Sequence, residues 1–329
     1  MNLIENAAKW AREHPGRVVF PDSLDLRAVK AALQMAEQGY AHPVLLANPF
    51  ALRCFCHRHA VRLGGISVID PEHSPLLARF TAQRVEQKPG LMPEEARTQL
   101  ANPLWFGAMM LVAGEADYCI AGNTSPTSLV LRAALRIIGL AEGNRTLSSI
   151  FFMVSPDGGR VFGFADCSVI PEPTPEQLAD IALSAAVSYQ NLTGETPRIA
   201  MLSFSSKGSA NHPLAEAVRN ATEMVRKSNP SLVVDGELQF DASAVPAVAE
   251  RKVPDSPIGG NANVFVFPNL SAGNIGYKLA QHLAGYTALG PLTQGLKLPM
   301  HDLSRGCSAE DMVETALLAI KMADPGRAS

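Results

Sequence analysis

Short apolar runs that stop at proline, glycine, asparagine or aspartate alternate with longer stretches of helical spacing along most of the chain. Arg17-Val18-Val19-Phe20 halts at Pro21-Asp22; Val44-Leu45-Leu46, Ser67-Val68-Ile69-Asp70 and Tyr118-Cys119-Ile120 are three further runs. After the first, Asp25 to Gln38 repeats Leu26, Val29, Ala32 and Met35 on one helical face and ends at Gly39. Glu94 to Glu115 reads as one long buried helix. A strand that is apolar at every residue must be covered on both faces. Such strands alternating with helices predict an α/β fold with a parallel sheet between helical layers.

The middle third changes character. Thr146 to Ser155 and Arg160 to Cys167 flank Asp157-Gly158-Gly159, a hairpin signal, and a helix over Pro175 to Asn191 follows. Ile199 to Phe204, Leu232 to Asp235 and Val264 to Phe267 are again buried strands separated by helices. Beyond Leu296 only a loop and a helix, Ser308 to Ala323, remain, too little for a domain. At 329 residues the chain is long enough for two units. The expectation is a discontinuous domain of 1–143 with 296–329 and an inserted domain of 144–295.

Composition narrows the function. Twenty-eight Lys+Arg against 31 Asp+Glu leave no basic excess, which argues against nucleic acid as the main partner. Five cysteines without a C-x-x-C pair fit a reducing, cytoplasmic setting. Met1 to Pro15 carries charges at Glu5, Lys9, Arg12 and Glu13, so it reads as an amphipathic helix and not a secretory leader. No window approaches the roughly 20 apolar residues of a membrane span.

In parallel sheets ligands gather beyond the carboxyl ends of strands. Gly122-Asn123-Thr124-Ser125-Pro126 follows a strand and opens a helix carrying Arg132. The N–H groups and hydroxyls of this loop suit an anion, with Arg132 as a clamp on phosphate or carboxylate. The plainer reading is a strand–loop–helix capped by Thr127 or Ser128. Ser203 to Ala210 is a second such loop, without the spacing of a Walker A motif. Gly273-Asn274-Ile275-Gly276-Tyr277-Lys278 permits close backbone approach to a ligand. No G-x-G-x-x-G follows a strand, so a dinucleotide fingerprint is absent.

Ser304-Arg305-Gly306-Cys307-Ser308-Ala309-Glu310-Asp311 sits just ahead of the last helix, where positive potential collects. One reading makes Asp311 a base beside an anion held by Arg305; the other makes Ser308 and Asp311 a capping box. Cys307 is either a nucleophile or a small packing residue. Cys54-Phe55-Cys56-His57-Arg58-His59 imitates a metal site, yet it lies in a helical pattern without paired ligand spacing. Asp235, Glu237, Gln239 and Asp241 alternate along a strand, either as a divalent-metal face or, more simply, as a solvated or interface edge.

Taken together, these segments resemble the phosphate acetyltransferase family. The resemblance runs from Arg17–Asp22 through Val233–Asp241, Phe267–Leu270 and Ala272–Lys278 to Asp302-Leu303-Ser304-Arg305-Gly306-Cys307-Ser308, essentially the whole chain. Leu147–Phe151 and Met300–Ser304 are most similar to the family's ethanolamine-utilisation branch, which leaves open a place inside a bacterial microcompartment. The resemblance implies two α/β domains with a cleft between them, as in the isocitrate and isopropylmalate dehydrogenases, and a homodimer. It implies coenzyme A as substrate and no permanently bound cofactor or metal. It puts the family's active-site serine and arginine on Ser304 and Arg305 and its catalytic aspartate on Asp311. Phosphate or acetyl phosphate falls to Arg132, Arg84, Asn123, Thr124 and Ser125. Coenzyme A falls to Arg305, Gly273, Asn274, Tyr277 and Lys278. Two positions depart from the family pattern: Ala133 replaces the proline after the helix arginine, and His301 stands where asparagine is common.

The implied chemistry is acetyl transfer between coenzyme A and inorganic phosphate. The thiol, deprotonated by Asp311, attacks acetyl phosphate while Arg132 and Arg305 hold the phosphate and Ser304 orients the acetyl group. Rival readings are a phosphate butyryltransferase, a non-catalytic acyl-CoA-binding module and a dehydrogenase of the related fold.

Overall fold

The computed structural model describes residues 3–323, which divide into two compact units. The first unit opens with α1 (Leu3–Glu13), β1 (Gly16–Phe20), α2 (Leu26–Glu37), β2 (Ala41–Leu46), α3 (Pro49–Arg58) and β3 (Ser67–Ile69). It goes on through α4 (Leu76–Gln87), α5 (Pro93–Leu100), α6 (Pro103–Val112), β4 (Tyr118–Ala121) and α7 (Thr127–Ala133), whose end runs into a π-helical turn, Ala134–Ile138. The second unit, Glu142–Gly295, holds β5 (Ser148–Val154), β6 (Val161–Ala165), α8 (Pro175–Thr193), β7 (Arg198–Leu202), α9 (Pro213–Ser228) and β8 (Val233–Leu238). It closes with α10 (Phe240–Ala244), α11 (Pro246–Lys252), β9 (Val264–Val266), α12 (Leu270–Ala284) and β10 (Thr287–Gln294). The chain then rejoins the first unit as β11 (Met300–Asp302) and α13 (Ala309–Met322). The first two residues of the expected amphipathic amino-terminal helix lie outside the described residues.

The first unit's sheet is wholly parallel, in the order β11-β4-β1-β2-β3. Val18, Val19 and Phe20 on the central strand are fully buried, as a doubly covered sheet requires. Beneath it Phe80 and Phe106 stack in a tilted pair, ring centroids 5.0 Å apart. The expected long helix over 94–115 is two helices. Pro103 has no N–H to continue α5, and the Asn102 side chain accepts from Leu104 N at 2.9 Å to start α6.

The second unit departs from a purely parallel sheet. Its order is β10-β5-β6-β9-β7-β8, with β10–β5 and β5–β6 antiparallel and the rest parallel. The β5–β6 connection is the expected hairpin, held by Gly159 N donating to Asp157 Oδ1 at 3.0 Å. Two of the alternating acids, Asp235 and Glu237, are not on a solvated edge, whereas Asp241 is exposed. Asp235 and Glu237 are completely buried on β8, and the strand ends before Gln239. Asp235 pairs with Lys207 and with Arg226 (2.6 Å), Glu237 with Arg219 (3.0 Å). Charges taken out of water need such partners.

Candidate active site

Parallel pairing brings the carboxyl ends of β1, β4 and β11 side by side, so the loops 21–25, 122–126 and 303–308 are neighbours. Register sets the detail. Val18 pairs with Tyr118 and Val19 with Cys119, which carries Asp22 alongside Gly122. The Asp22 carboxylate accepts Gly122 N (2.9 Å), Ser125 N (3.2 Å), Thr124 N (3.4 Å) and Ser125 Oγ (2.6 Å). The donors that the sequence suggests for an incoming anion are therefore turned onto the chain's own Asp22. Asn123 is buried, and its Nδ2 donates to Asp22 O and Asp25 Oδ2, both at 3.1 Å. Asn123 and Ser125 thus shape the loop, and Thr124 keeps an exposed side chain. The helix that follows has Pro126 at its cap and no side-chain cap, so neither Thr127 nor Ser128 serves. Ala133 is interior to α7, and the missing proline leaves the helix start at Thr127.

A second interaction ties the three loops together. The Arg27 guanidinium donates to Asn123 O, Arg305 O and Cys307 O, each at 2.8 Å, while Asp25 grips it at 2.6 Å. Burial pushes the Asp25 carboxyl up, and the bonds from Arg27 and Asn123 with the Arg27 charge together more than reverse this, holding it below the ordinary carboxylate range. Asp22, Asp25 and Arg27 are absent from the sequence-derived site. Their signal was the D-x-x-D-x-R run directly beyond an apolar strand.

The 303–308 loop is a tight turn. Gly306 N donates to Ser304 Oγ at 3.2 Å and Cys307 N to Ser304 O at 3.0 Å. Ser308 and Asp311 form the capping box: Asp311 N donates to Ser308 Oγ (3.0 Å) and Ser308 N to Asp311 Oδ2 (2.8 Å). This engages one carboxylate oxygen of Asp311 in an exposed position. Cys307 is buried, and burial, offset in part by Arg27, raises its thiol, which suits packing and not attack.

Arg132 and Arg305 differ from their neighbours. Both side chains are exposed, and among the described residues neither guanidinium has a hydrogen bond or ion pair within the chain. They leave the sheet beyond adjacent strands, β4 and β11, and α7 packs against β11. Arg84 presents a different case. It is buried on α4 with Nε unpartnered, beside the Trp105 ring (6.0 Å) and near Arg136. Burial, then the Arg136 charge, depresses its pKa. A buried guanidinium without a carboxylate is costly until an anion joins it.

Beneath these loops lie His301 and Asp302, both buried at the end of β11. Burial depresses His301 to about 4, leaving a neutral imidazole. Burial raises Asp302 to about 6, with Thr127's hydrogen bond opposing and the Asp22 charge adding to the rise. Gly122, at φ +95, sits so close that a Cβ would collide with Asp302 Oδ1 and lie 2.7 Å from Leu303 N.

In the second unit the Ser203–Ala210 loop is filled from within. Ser205 Oγ (2.8 Å) and Gly208 N (2.9 Å) donate to Glu237 Oε1, and Lys207 pairs with Asp235. On α12, Gly273 abuts the backbone of Asp166, and Asn274 Nδ2 donates to Cys167 O at 3.2 Å. Tyr277 stacks on Phe151 at 4.2 Å, and exposed Lys278 lies over the Tyr277 ring. The Cys54–His59 segment is helical, and among the described residues no cluster of ligating side chains could hold a metal. No helix among the described residues is long and apolar enough to cross a membrane.

Fold and loops define an α/β enzyme with uncommitted cations beyond the carboxyl ends of its strands. The profile of the family described as "Phosphate acetyl/butaryl transferase" matches residues 2–320. The phosphate acetyltransferase of Acetivibrio thermocellus is 41% identical over 324 residues, 97% of each chain. A phosphotransacetylase from Streptococcus pyogenes superposes with a TM-score of 0.92 at 37% identity, covering 97% of both chains. The EutD phosphotransacetylase from Staphylococcus aureus gives 0.89 at 37% identity, covering 97% of this chain and 98% of its own. The chain belongs to the phosphate acetyl/butaryl transferase family, and its fold is that family's pair of α/β domains.

Proposed function

We propose that this protein transfers an acetyl group reversibly between coenzyme A and inorganic phosphate. The observation that carries the reading is the pair of uncommitted guanidinium groups, Arg132 and Arg305, on segments leaving adjacent strands, in a chain so similar to phosphate acetyltransferases. In the direction of acetyl-CoA synthesis the CoA thiol gives its proton to the free oxygen of Asp311. The thiolate sulfur bonds to the acetyl carbonyl carbon, the bond from that carbon to the bridging oxygen breaks, and phosphate leaves as an anion. Arg132 and Arg305 neutralise the departing charge and lower the thiol pKa. Ser304 donates to the carbonyl oxygen as negative charge develops there. Holding both substrates together removes any need for an acyl-enzyme. Arg84 supplies a further cation for an anionic group of the substrates. Thr124, exposed within the 122–126 loop, is proposed to contact the phosphate, with Asn123 and Ser125 holding the loop's shape. Gly273, Asn274, Tyr277 and Lys278 are proposed to contact coenzyme A, a role supported by the family motif.

Self-association fits α12, where Ile275, Leu279 and Leu283 are exposed at one-turn intervals. Two copies of this stripe crossing about a two-fold axis would set Leu279 on Leu279 and Ile275 on Leu283, a self-complementary contact. Leu279→Glu should convert a dimer to monomers in light scattering; unchanged mass would remove α12 from the interface. A cytoplasmic setting, associated with ethanolamine utilisation, is supported by the similarity to EutD and the sequence motifs.

The deciding assay is CoA release from acetyl-CoA with phosphate added or omitted. Release that depends on phosphate is expected; equal release in both arms would mark a thioesterase and sink the reading. Faster turnover of butyryl than acetyl phosphate would instead favour a butyryltransferase.

A further inference from the structure

We propose that a depression between α3 and the 61–68 segment binds a small organic phosphate, a dianion carrying an apolar body. The depression measures about 500 Å³, within the range of small-molecule sites. Arg53 and His57 lie one turn apart on the same face of α3, and Arg62 reaches the depression from beyond the helix end. No acidic side chain lines it, although acids outnumber bases 31 to 28 in the chain. Among the described residues neither the two arginines nor His57 makes an ion pair, and the Arg53 guanidinium's bond is to Pro49 O at 3.2 Å. A cation near a helix carboxyl end is explained by the helix dipole. That does not account for Arg53 near the middle of α3 or Arg62 outside it. The floor is apolar: Cys56, Val61 and Val68. A cationic rim over an apolar floor fits a phosphate ester better than inorganic phosphate, because the guanidinium forks take the phosphate oxygens while the ester carbon chain covers the floor. The site shares no residue with the loops that carry Arg132 and Arg305, and it does not depend on the acetyl-transfer reading.

Cys54 gives a local reporter. It is the exposed cysteine of the five, next to Arg53 on α3. The full chain, labelled at Cys54 with an environment-sensitive fluorophore, is titrated with phenyl phosphate and separately with inorganic phosphate. A saturable response is expected, tighter for phenyl phosphate. Arg53→Ser with Arg62→Ser should weaken it on the order of tenfold or more, since two charge-assisted bonds are lost. Arg53→Lys with Arg62→Lys should keep most of it. Arg132→Ala with Arg305→Ala should leave it intact, and the Arg53→Ser, Arg62→Ser variant should keep its ordinary acetyl transfer and circular dichroism. No saturable response, an undiminished one in the double serine variant, or one lost with Arg132 and Arg305 would each overturn the assignment. Calorimetric titration of the unlabelled chain with phenyl phosphate repeats the comparison should labelling or the serine pair disturb the fold.

Discussion

His301 and Asp302 are adjacent, buried and opposite in their dependence on pH, and replacing each by asparagine separates two effects that cancel in the native chain. His301 is depressed from 6.5 to about 4, so the unfolded chain takes its proton more readily. Its cost to stability is therefore present in acid and fades as the pH rises to 7. Asp302 is raised from 3.8 to about 6, so the folded chain holds its proton more tightly. Its cost is small in acid and complete only above its folded pKa. At about 1.4 kcal/mol per unit, His301 costs about 3 kcal/mol near pH 4 and almost nothing near pH 7, whereas Asp302 costs little near pH 4 and about 3 kcal/mol near pH 7. The two pH dependences therefore largely cancel across the range. Both tryptophans, Trp10 and Trp105, lie in the first unit, so urea unfolding followed by tryptophan fluorescence reports on the unit that holds the pair. The packing change caused by each substitution is independent of pH and drops out when the difference from native is compared between the two ends. His301→Asn should show a difference more favourable at pH 4 than at pH 7 by about 3 kcal/mol, and Asp302→Asn the reverse by about 2–3 kcal/mol. Stability curves that stay parallel to native for both variants would refute the reasoning.

Arg305→Ala should lower turnover on the order of 100-fold or more in the phosphate-dependent assay; Arg305→Lys should recover part of it, and native turnover in the alanine variant would exclude Arg305 from the chemistry. Gly122→Ala pairs a left-handed backbone with a collision at Asp302 and Leu303, so a loss of about 1–3 kcal/mol in urea unfolding and a collapse of acetyl transfer are expected. Ser308→Ala removes the hydroxyl that caps α13 by accepting from Asp311 N and should cost about 1 kcal/mol, read by the same unfolding measurement, while the backbone bond from position 308 to Asp311 Oδ2 stays.

The strands of the first unit were legible because each is an unbroken apolar run with a turn residue at its end, as in Arg17 to Asp22. The break at Pro103 was also written in the sequence, yet apolar residues on both sides favoured a single helix. In the second unit β10 was not legible. Thr287 to Gln294 carries Gly290 and Pro291, residues that usually end strands, and its antiparallel partner β5 lies more than 130 positions away. At the site, the loops and their exposed arginines could be picked out from composition. The inward use of Asp22 could not, because it depends on which residue of β1 pairs with which of β4. Arg27 was hidden by its place in the first turn of a well-patterned helix, where an arginine ordinarily faces solvent. Asp311 was legible in both of its readings, and the capping box leaves one oxygen for the other.

The grip of Asp22 on the 122–125 backbone has a thermodynamic consequence for a substrate. A phosphate-binding loop that relies on its ligand for shape must be ordered each time the ligand arrives, and that entropy is subtracted from affinity. Here an internal carboxylate plays the ligand's part permanently, so under the proposed acetyl-transfer reading the loop would already be in form before a phosphate meets it and would not need to relax when the phosphate departs. Under that reading affinity and release would fall to the exposed Arg132 and Arg305 side chains, a division of labour suited to reversible transfer.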